Sequence, residues 1–324
     1  MNMQAIRAFK PLRQEPAEFD ILWQASLQSL DRTDPAPLSQ RGASPRPGLT
    51  LDRLSFASLG GEQILGYLLS HDDGGVRPLI VHTHGYNSQY DIMLEWALAG
   101  YHVCGIDVRG HGRSAARPSS SDGYVLTGID TPQTSILRGA VMDVVQAIRV
   151  ARLLVSWRVA RTVLQGFSFG GALAVMAGAL VPDLDLVVAG QPTFGWHSER
   201  VRLAEAGSSL ELRRFLDAAP HRAEQINATL AYYDALHFAH RLRVPCFLGV
   251  GLADTVVPSR TVLAIANHIG TAPLELRLLP VSHSDDPRES LWNRFDAEWL
   301  ALGLRDALPA DFGSDERQLQ LIDS

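Results

Sequence analysis

The sequence predicts an α/β protein. It reads as a doubly wound, mostly parallel sheet with an N-terminal antiparallel hairpin and a helical insertion after the sixth predicted strand. Three observations carry this. Short continuous apolar runs, such as Pro78-Leu79-Ile80-Val81, Leu184 to Ala189 and Pro245 to Val250, suit strands covered on both faces. Stretches with apolar residues at helical spacing alternate with them. One run, Val163-Leu164-Gln165, passes through Gly166-Phe167-Ser168-Phe169-Gly170-Gly171 into a helical run that opens Ala172-Leu173-Ala174. A strand turning sharply into a helix with a serine at the corner gives this pattern, because only small residues fit two positions either side of the corner.

Residues 1–48 read as an arm plus one helix, with apolar residues at helical spacing from Glu18 to Leu30. The stretch 34–48, rich in Pro, Arg and Ser, reads as a connector. The main domain is expected over 49–304. Leu49 to Phe56 alternates as a strand, Gly60-Gly61 turns, and Gln63 to Leu69 returns. The strand Pro78 to Val81 ends in His82-Thr83-His84-Gly85-Tyr86-Asn87, and a helix follows over about 91–99. The next strand, Tyr101 to Ile106, ends in Asp107-Val108-Arg109-Gly110-His111-Gly112. A polar loop fills 113–134, and a long helix covers about 137–154. After the serine corner and the strand 184–189, residues 194–240 break the alternation with several helical segments and read as an insertion or cap. Strands at 245–250 and 274–279 enclose a helix over 259–268, and a last helix covers about 289–302. The stretch 305–324 reads as a polar, loose C-terminal tail.

Composition removes several functions. The chain has 324 residues, 46% hydrophobic, which is too apolar for disorder. A net charge of −6 without a long basic cluster argues against nucleic acid as a partner. Lys10 is the sole lysine, so neither a P-loop nor a Schiff-base mechanism has its lysine in the body of the chain. Cys104 and Cys246 each lie in an apolar run and read as buried free thiols. Met1 to Arg13 contains no apolar h-region, and the longest apolar stretch, Gly166 to Val181, falls short of the ~20 residues of a membrane helix. The expectation is a cytoplasmic protein with no membrane partner.

In such sheets sites collect at the carboxyl ends of strands. Ser168 is a candidate nucleophile there; the plainer reading is a glycine-rich turn that happens to hold a serine. A serine hydroxyl needs a general base, and the base needs an acid to orient it. Ser168, Asp254 and His283 follow in the chain order Ser…Asp…His that an α/β-hydrolase uses. Asp254 could equally be a turn or capping aspartate, and Asp183, Asp185, Asp285 and Asp286 compete for the acid role. The oxyanion hole calls for the N–H after the nucleophile, Phe169, and one from the loop after an early strand, Tyr86. The Tyr86 hydroxyl is a candidate lining group for the acyl pocket, against the reading of an ordinary packed tyrosine. His82 and His84 form an H-x-H pair that could bind zinc, but no acidic or His ligand follows until Asp91, so no metal is expected. Arg109 reads as a brace between loops.

The chain also resembles the acetyl xylan esterase / cephalosporin C deacetylase group of α/β-hydrolases. The resemblance rests on Phe19-Asp20-Ile21-Leu22-Trp23, His84-Gly85-Tyr86-Asn87, Asp107-Val108-Arg109-Gly110, the serine corner, Tyr233-Asp234-Ala235-Leu236-His237-Phe238-Ala239 and Val250-Gly251-Leu252-Ala253-Asp254. It implies hydrolysis of small acyl esters, chiefly acetyl, from sugars or a cephalosporin side chain. It carries the catalytic roles to Ser168, Asp254 and His283 and the oxyanion hole to Tyr86 and Phe169. It implies no cofactor, and a homo-oligomer, usually a hexamer, with sites facing an internal space. Three positions depart from the family's usual residues: Phe169 in place of Gln, His111 in place of Gln, and Ser284 in place of Glu. The stretch Gly190-Gln191-Pro192-Thr193-Phe194-Gly195-Trp196 has no counterpart in the resemblance. Two other readings differ in class or substrate: a non-catalytic ligand binder of this fold, which has no use for all three residues, and a serine peptidase, which usually brings a large extra domain.

Overall fold

Ten strands form one sheet among the described residues of a computed structural model, which are 6, 8–116, 119–282, 290–314 and 319–322. They are β1 (Leu38–Arg41), β2 (Leu49–Ala57), β3 (Gln63–His71), β4 (Arg77–Thr83), β5 (His102–Asp107), β6 (Val159–Phe167), β7 (Leu186–Gly190), β8 (Cys246–Gly251), β9 (Leu274–Leu279) and β10 (Leu319–Leu321). Their order is β1-β2-β3-β5-β4-β6-β7-β8-β9-β10. The pairs β1/β2, β2/β3 and β3/β5 are antiparallel; every pair from β5/β4 onward is parallel.

The side-chain period of two explains why the strands read as continuous apolar runs. Leu79 and Val81 of β4 join one core with Leu164, Val187, Ala189, Cys246 and Leu248, while Ile80 joins the opposite core with Val163, Leu186, Val188 and Phe247. The first core is covered by α1 (Phe19–Asp31), α3 (Ile136–Val155), α4 (Phe169–Leu180) and α9 (Ser259–His268). The second is covered by α2 (Leu94–Leu98) and α10 (Ser290–Gly303), through Trp96, Ala97, Leu291, Phe295 and Trp299. Both thiols, Cys104 and Cys246, are buried and free. No helix among the described residues is long and apolar enough to cross a membrane.

The insertion consists of α5 (His197–Leu203), α6 (Gly207–Ala218), α7 (Ala223–Ala231) and α8 (Ala235–Ala239). It follows β7, the sixth strand foreseen, because β1 adds one to the count. Its last helix is not a cap. Phe238 of α8 stacks edge-on against Phe19 and Trp23 of α1, with ring centroids 5.0 Å apart in both pairs, so α8 is the crossover helix that a parallel β7–β8 connection demands. Two strands lie where a connector and a loose tail were expected. β1 pairs with β2 from Leu38 opposite Ser55 to Arg41 opposite Asp52, and β10 extends the parallel edge beside β9. The first α/β helix is shorter than expected, Leu94–Leu98 rather than 91–99.

The order β5-β4-β6 places a topological switch at β4, since the chain steps one way from β4 to β5 and then crosses back to β6. Open α/β sheets bind ligands at the carboxyl ends beside such a point. The loops that leave β4 and β6 there are those of Tyr86 and Ser168.

The buried histidines make acid stability predictable. Burial pushes His82 and His111 down to about 3, and His102 and His237 down to about 4. Between those values and the ordinary imidazole value near 6.5, the unfolded chain binds more protons than the folded one, so stability is retained above about 6.5 and lost as pH falls. Asp296, lifted to about 6 by burial, and Asp234, also raised by burial, act in the opposite direction, against a larger set of buried histidines. The midpoint of thermal unfolding is expected to drop by about 5–10 °C from pH 7.5 to 4.5. A flat profile in differential scanning fluorimetry would contradict this.

Candidate active site

Ser168 occupies the corner between β6 and α4 with φ 56° and ψ −112°. An L-residue rarely adopts that conformation, and here the neighbours impose it. Ser168 N–H donates to Gly190 O at 2.9 Å, while its carbonyl accepts from Ala172 N–H at 3.1 Å and Thr193 N–H at 3.2 Å. A Cβ on Gly166 would lie 2.0 Å from Gly170 O, so the strand and the helix can approach only because residue 166 has no side chain. Ser168 itself is half-buried and within reach of solvent. Phe169 begins α4, so its N–H has no acceptor within the helix and points with the positive end of the helix dipole.

Asp254 lies past the end of β8, two strands along from β6, about 10 Å away at ~4.8 Å per strand. It is buried, and its Oδ1 accepts from Val256 N–H at 2.9 Å and Val257 N–H at 2.8 Å, which fixes the plane of the carboxylate. Gln191, at the end of β7, holds the same loop: its Nε2 donates to Val257 O at 2.7 Å and Gly251 O at 3.2 Å. Leu252 N–H donates to Leu279 O at 2.8 Å and Ala253 N–H to Val281 O at 3.2 Å. The chain running up to residue 282 is therefore bound alongside the Asp254 loop. His283 lies outside the described residues, as do Ser284, Asp285 and Asp286.

Two competitors for the acid role are removed by position. Asp183 pairs with Arg152 at 2.8 Å, and Asp185 Oδ2 accepts from Thr162 N–H at 2.7 Å. Both sit at the amino end of β7, the edge of the sheet opposite Ser168.

Tyr86 packs edge-on against the rings of Phe169 (5.8 Å, 88°) and Tyr124 (5.7 Å, 77°). Its hydroxyl has two protein partners. It donates to Glu211 Oε2 at 2.5 Å and accepts from Val125 N–H at 3.1 Å. Two of the family departures meet in this cluster: the rings of His111 and Phe169 lie 5.6 Å apart at 34°. His111 Nε2 accepts from Asn87 N–H at 3.2 Å. His84, stacked 4.8 Å from His111, bonds Gly85 O through Nδ1 at 2.7 Å and accepts from Val108 N–H through Nε2 at 3.2 Å. That division makes Nδ1 the protonated nitrogen, and burial, the main cause, holds His84 below the ordinary value and neutral.

Three nitrogens of the H-x-H pair thus serve protein hydrogen bonds, His82 Nε2 bonding the Tyr67 hydroxyl at 2.7 Å. Among the described residues no group of three or more His, Cys, Asp or Glu side chains could hold a metal ion. Arg109 braces the loops as expected, chelating Asp143 at 2.7 and 2.9 Å and reaching Leu59 O at 3.0 Å. Glu211 and Gln191 were not foreseen. Each acts on residues distant in sequence and carries no local motif.

A model of the acetyl xylan esterase (AXE1) family matches residues 1–299. The acetyl esterase Axe7A of Xylanibacter ruminicola is 26% identical over 293 residues, covering 84% of this chain; the chain spans 64% of that protein's length. Among solved structures, acetyl xylan esterase 1 from Thermoanaerobacterium sp. JW/SL YS485 superposes with a TM-score of 0.83 at 22% identity, covering 94% of this chain and 99% of that one. The acetyl xylan esterase from Paenibacillus sp. R4 gives 0.80 at 22% identity, covering 92% and 99%. These likenesses establish the α/β-hydrolase fold. With a family match spanning nearly the whole length, the chain belongs to the acetyl xylan esterase family.

Proposed function

We propose that the protein is a serine carboxylic-ester hydrolase that removes small acyl groups, acetyl foremost, from sugars or cephalosporin-like substrates. The observation that carries this is Ser168, held in a strained left-handed conformation at the head of α4 yet open to solvent, in a chain of this family.

In the proposed reaction Ser168 Oγ attacks the ester carbonyl while His283 takes its proton. Asp254 orients the imidazole and balances its charge. The N–H groups of Tyr86 and Phe169 receive the oxyanion, and the dipole of α4 adds to their field. His283 then returns the proton to the departing alcohol, leaving the acyl group on Ser168. Water, deprotonated by His283, releases the acid and restores the serine. The proposal calls for no cofactor or metal. We further propose a cytoplasmic location, in keeping with two buried free thiols. A homo-oligomer, hexameric by resemblance to the family, completes the reading.

Acyl-chain profiling on p-nitrophenyl esters tests the substrate class. The expected order is acetate over butyrate, with octanoate at least about tenfold slower in kcat/KM because a pocket for acetyl excludes the longer chain. A preference for octanoate would retain the esterase and reject the deacetylase reading. Strong loss of activity with a chelator would reject the metal-free mechanism.

A further inference from the structure

Glu211 stands on α6, in the helical insertion, yet its carboxylate reaches the loop after β4 to accept the Tyr86 phenol proton at 2.5 Å. The contact is built from both sides. Gly123 has φ +135°, and a Cβ there would lie 2.4 Å from Glu211 Oε2, so the carboxylate occupies space that only a glycine leaves open. Val125 N–H donates to the same phenol oxygen and completes its coordination. Burial first, and then the bond to Glu211, raise the Tyr86 pKa, so the phenol remains a neutral donor.

The backbone on either side of Tyr86 is also fixed, through the bonds of His84 to Gly85 O and of His111 to Asn87 N–H. Asn87 itself sits at φ 54°, a conformation that a loosened loop would leave. An oxyanion donor works only when it is aimed in advance, within about 0.5 Å of its target. The Tyr86 side chain is a handle by which the insertion grips this donor.

We propose that Glu211 is a positioning residue: it anchors Tyr86 and thereby the backbone N–H that receives the oxyanion, so the helical insertion sets the oxyanion hole of the hydrolase proposed above. The inference rests on that reading. It predicts that Glu211 contributes to turnover and not to substrate binding, and that its contribution passes through the Tyr86 hydroxyl.

The test is a double-mutant cycle on p-nitrophenyl acetate, with Ser168→Ala as control and thermal unfolding recorded for every variant. Glu211→Ala and Tyr86→Phe are each expected to lower kcat about tenfold with KM within about twofold. The double variant should lose about tenfold as well, not a hundredfold, because both changes break one contact. Glu211→Gln, whose amide oxygen still accepts the phenol proton, should recover most of the turnover. Multiplicative losses, a change carried by KM, or full turnover in Glu211→Ala would overturn the positioning role while leaving the esterase intact. Absence of Ser168-dependent hydrolysis in the unmodified protein would overturn the parent reading, and the positioning role with it.

Discussion

Ser168→Ala is expected to lower kcat on p-nitrophenyl acetate by about 10⁵-fold, with the fold unchanged. Alanine removes the hydroxyl and nothing that supports the corner. The bonds that hold residue 168 are made by its own N–H and carbonyl, to Gly190, Ala172 and Thr193, and alanine keeps all of them. The variant should therefore unfold within a few degrees of the unmodified protein. Mass spectrometry after brief exposure to an activated acetyl ester should find one acetyl group on Ser168 in the unmodified protein and none in the variant. Equal hydrolysis by both proteins would dispose of the serine mechanism.

Asp254→Asn is expected to cost about 10⁴-fold in kcat. Asp254 Oδ1 accepts two backbone N–H groups, from Val256 and Val257. The asparagine amide must keep its oxygen on that side to satisfy them. Its NH2 is then turned to where the second carboxylate oxygen stood, placing a donor where the proposed His283 requires an acceptor. The imidazole would be held in the wrong tautomer, unable to take the serine proton. KM should change little, and the loss should shrink at alkaline pH, where hydroxide can assist. A variant within tenfold of the unmodified protein would remove Asp254 from the acid role and return it to a capping aspartate.

The legible parts of the chain were those with a local signature. β4 and β6 to β8 carry apolar side chains on both faces and announced themselves, as did β9 by a leucine at every second position, and α9 begins and ends where its spacing indicated, at Ser259 and His268. The serine corner was legible because sterics restrict its neighbours. β1 was not, since all four of its side chains are exposed and no apolar alternation marks it. Its place depends on hydrogen bonds to β2, which any residue but proline can make. Glu211 lies 125 residues from Tyr86, and Gln191 lies 60 from Gly251. A pair of that separation leaves no periodicity to read, so Glu211 as the acceptor of the Tyr86 hydroxyl carries no sequence signal. Asp185 was a fair competitor to Asp254 by composition alone; only the direction of β7 puts it on the wrong edge.

The contact between His111 and Phe169 has a consequence for anyone exchanging parts between this protein and its relatives. Both positions depart from the residues usual in the family that the sequence resembles, and their rings lie against each other. Their side chains pack as one unit. Exporting either residue alone would set a ring against an amide in a partner shaped for something else, and would also disturb the acceptor that His111 offers to Asn87 N–H. Chimeras and ancestral reconstructions should cut the chain so that 111 and 169 travel together.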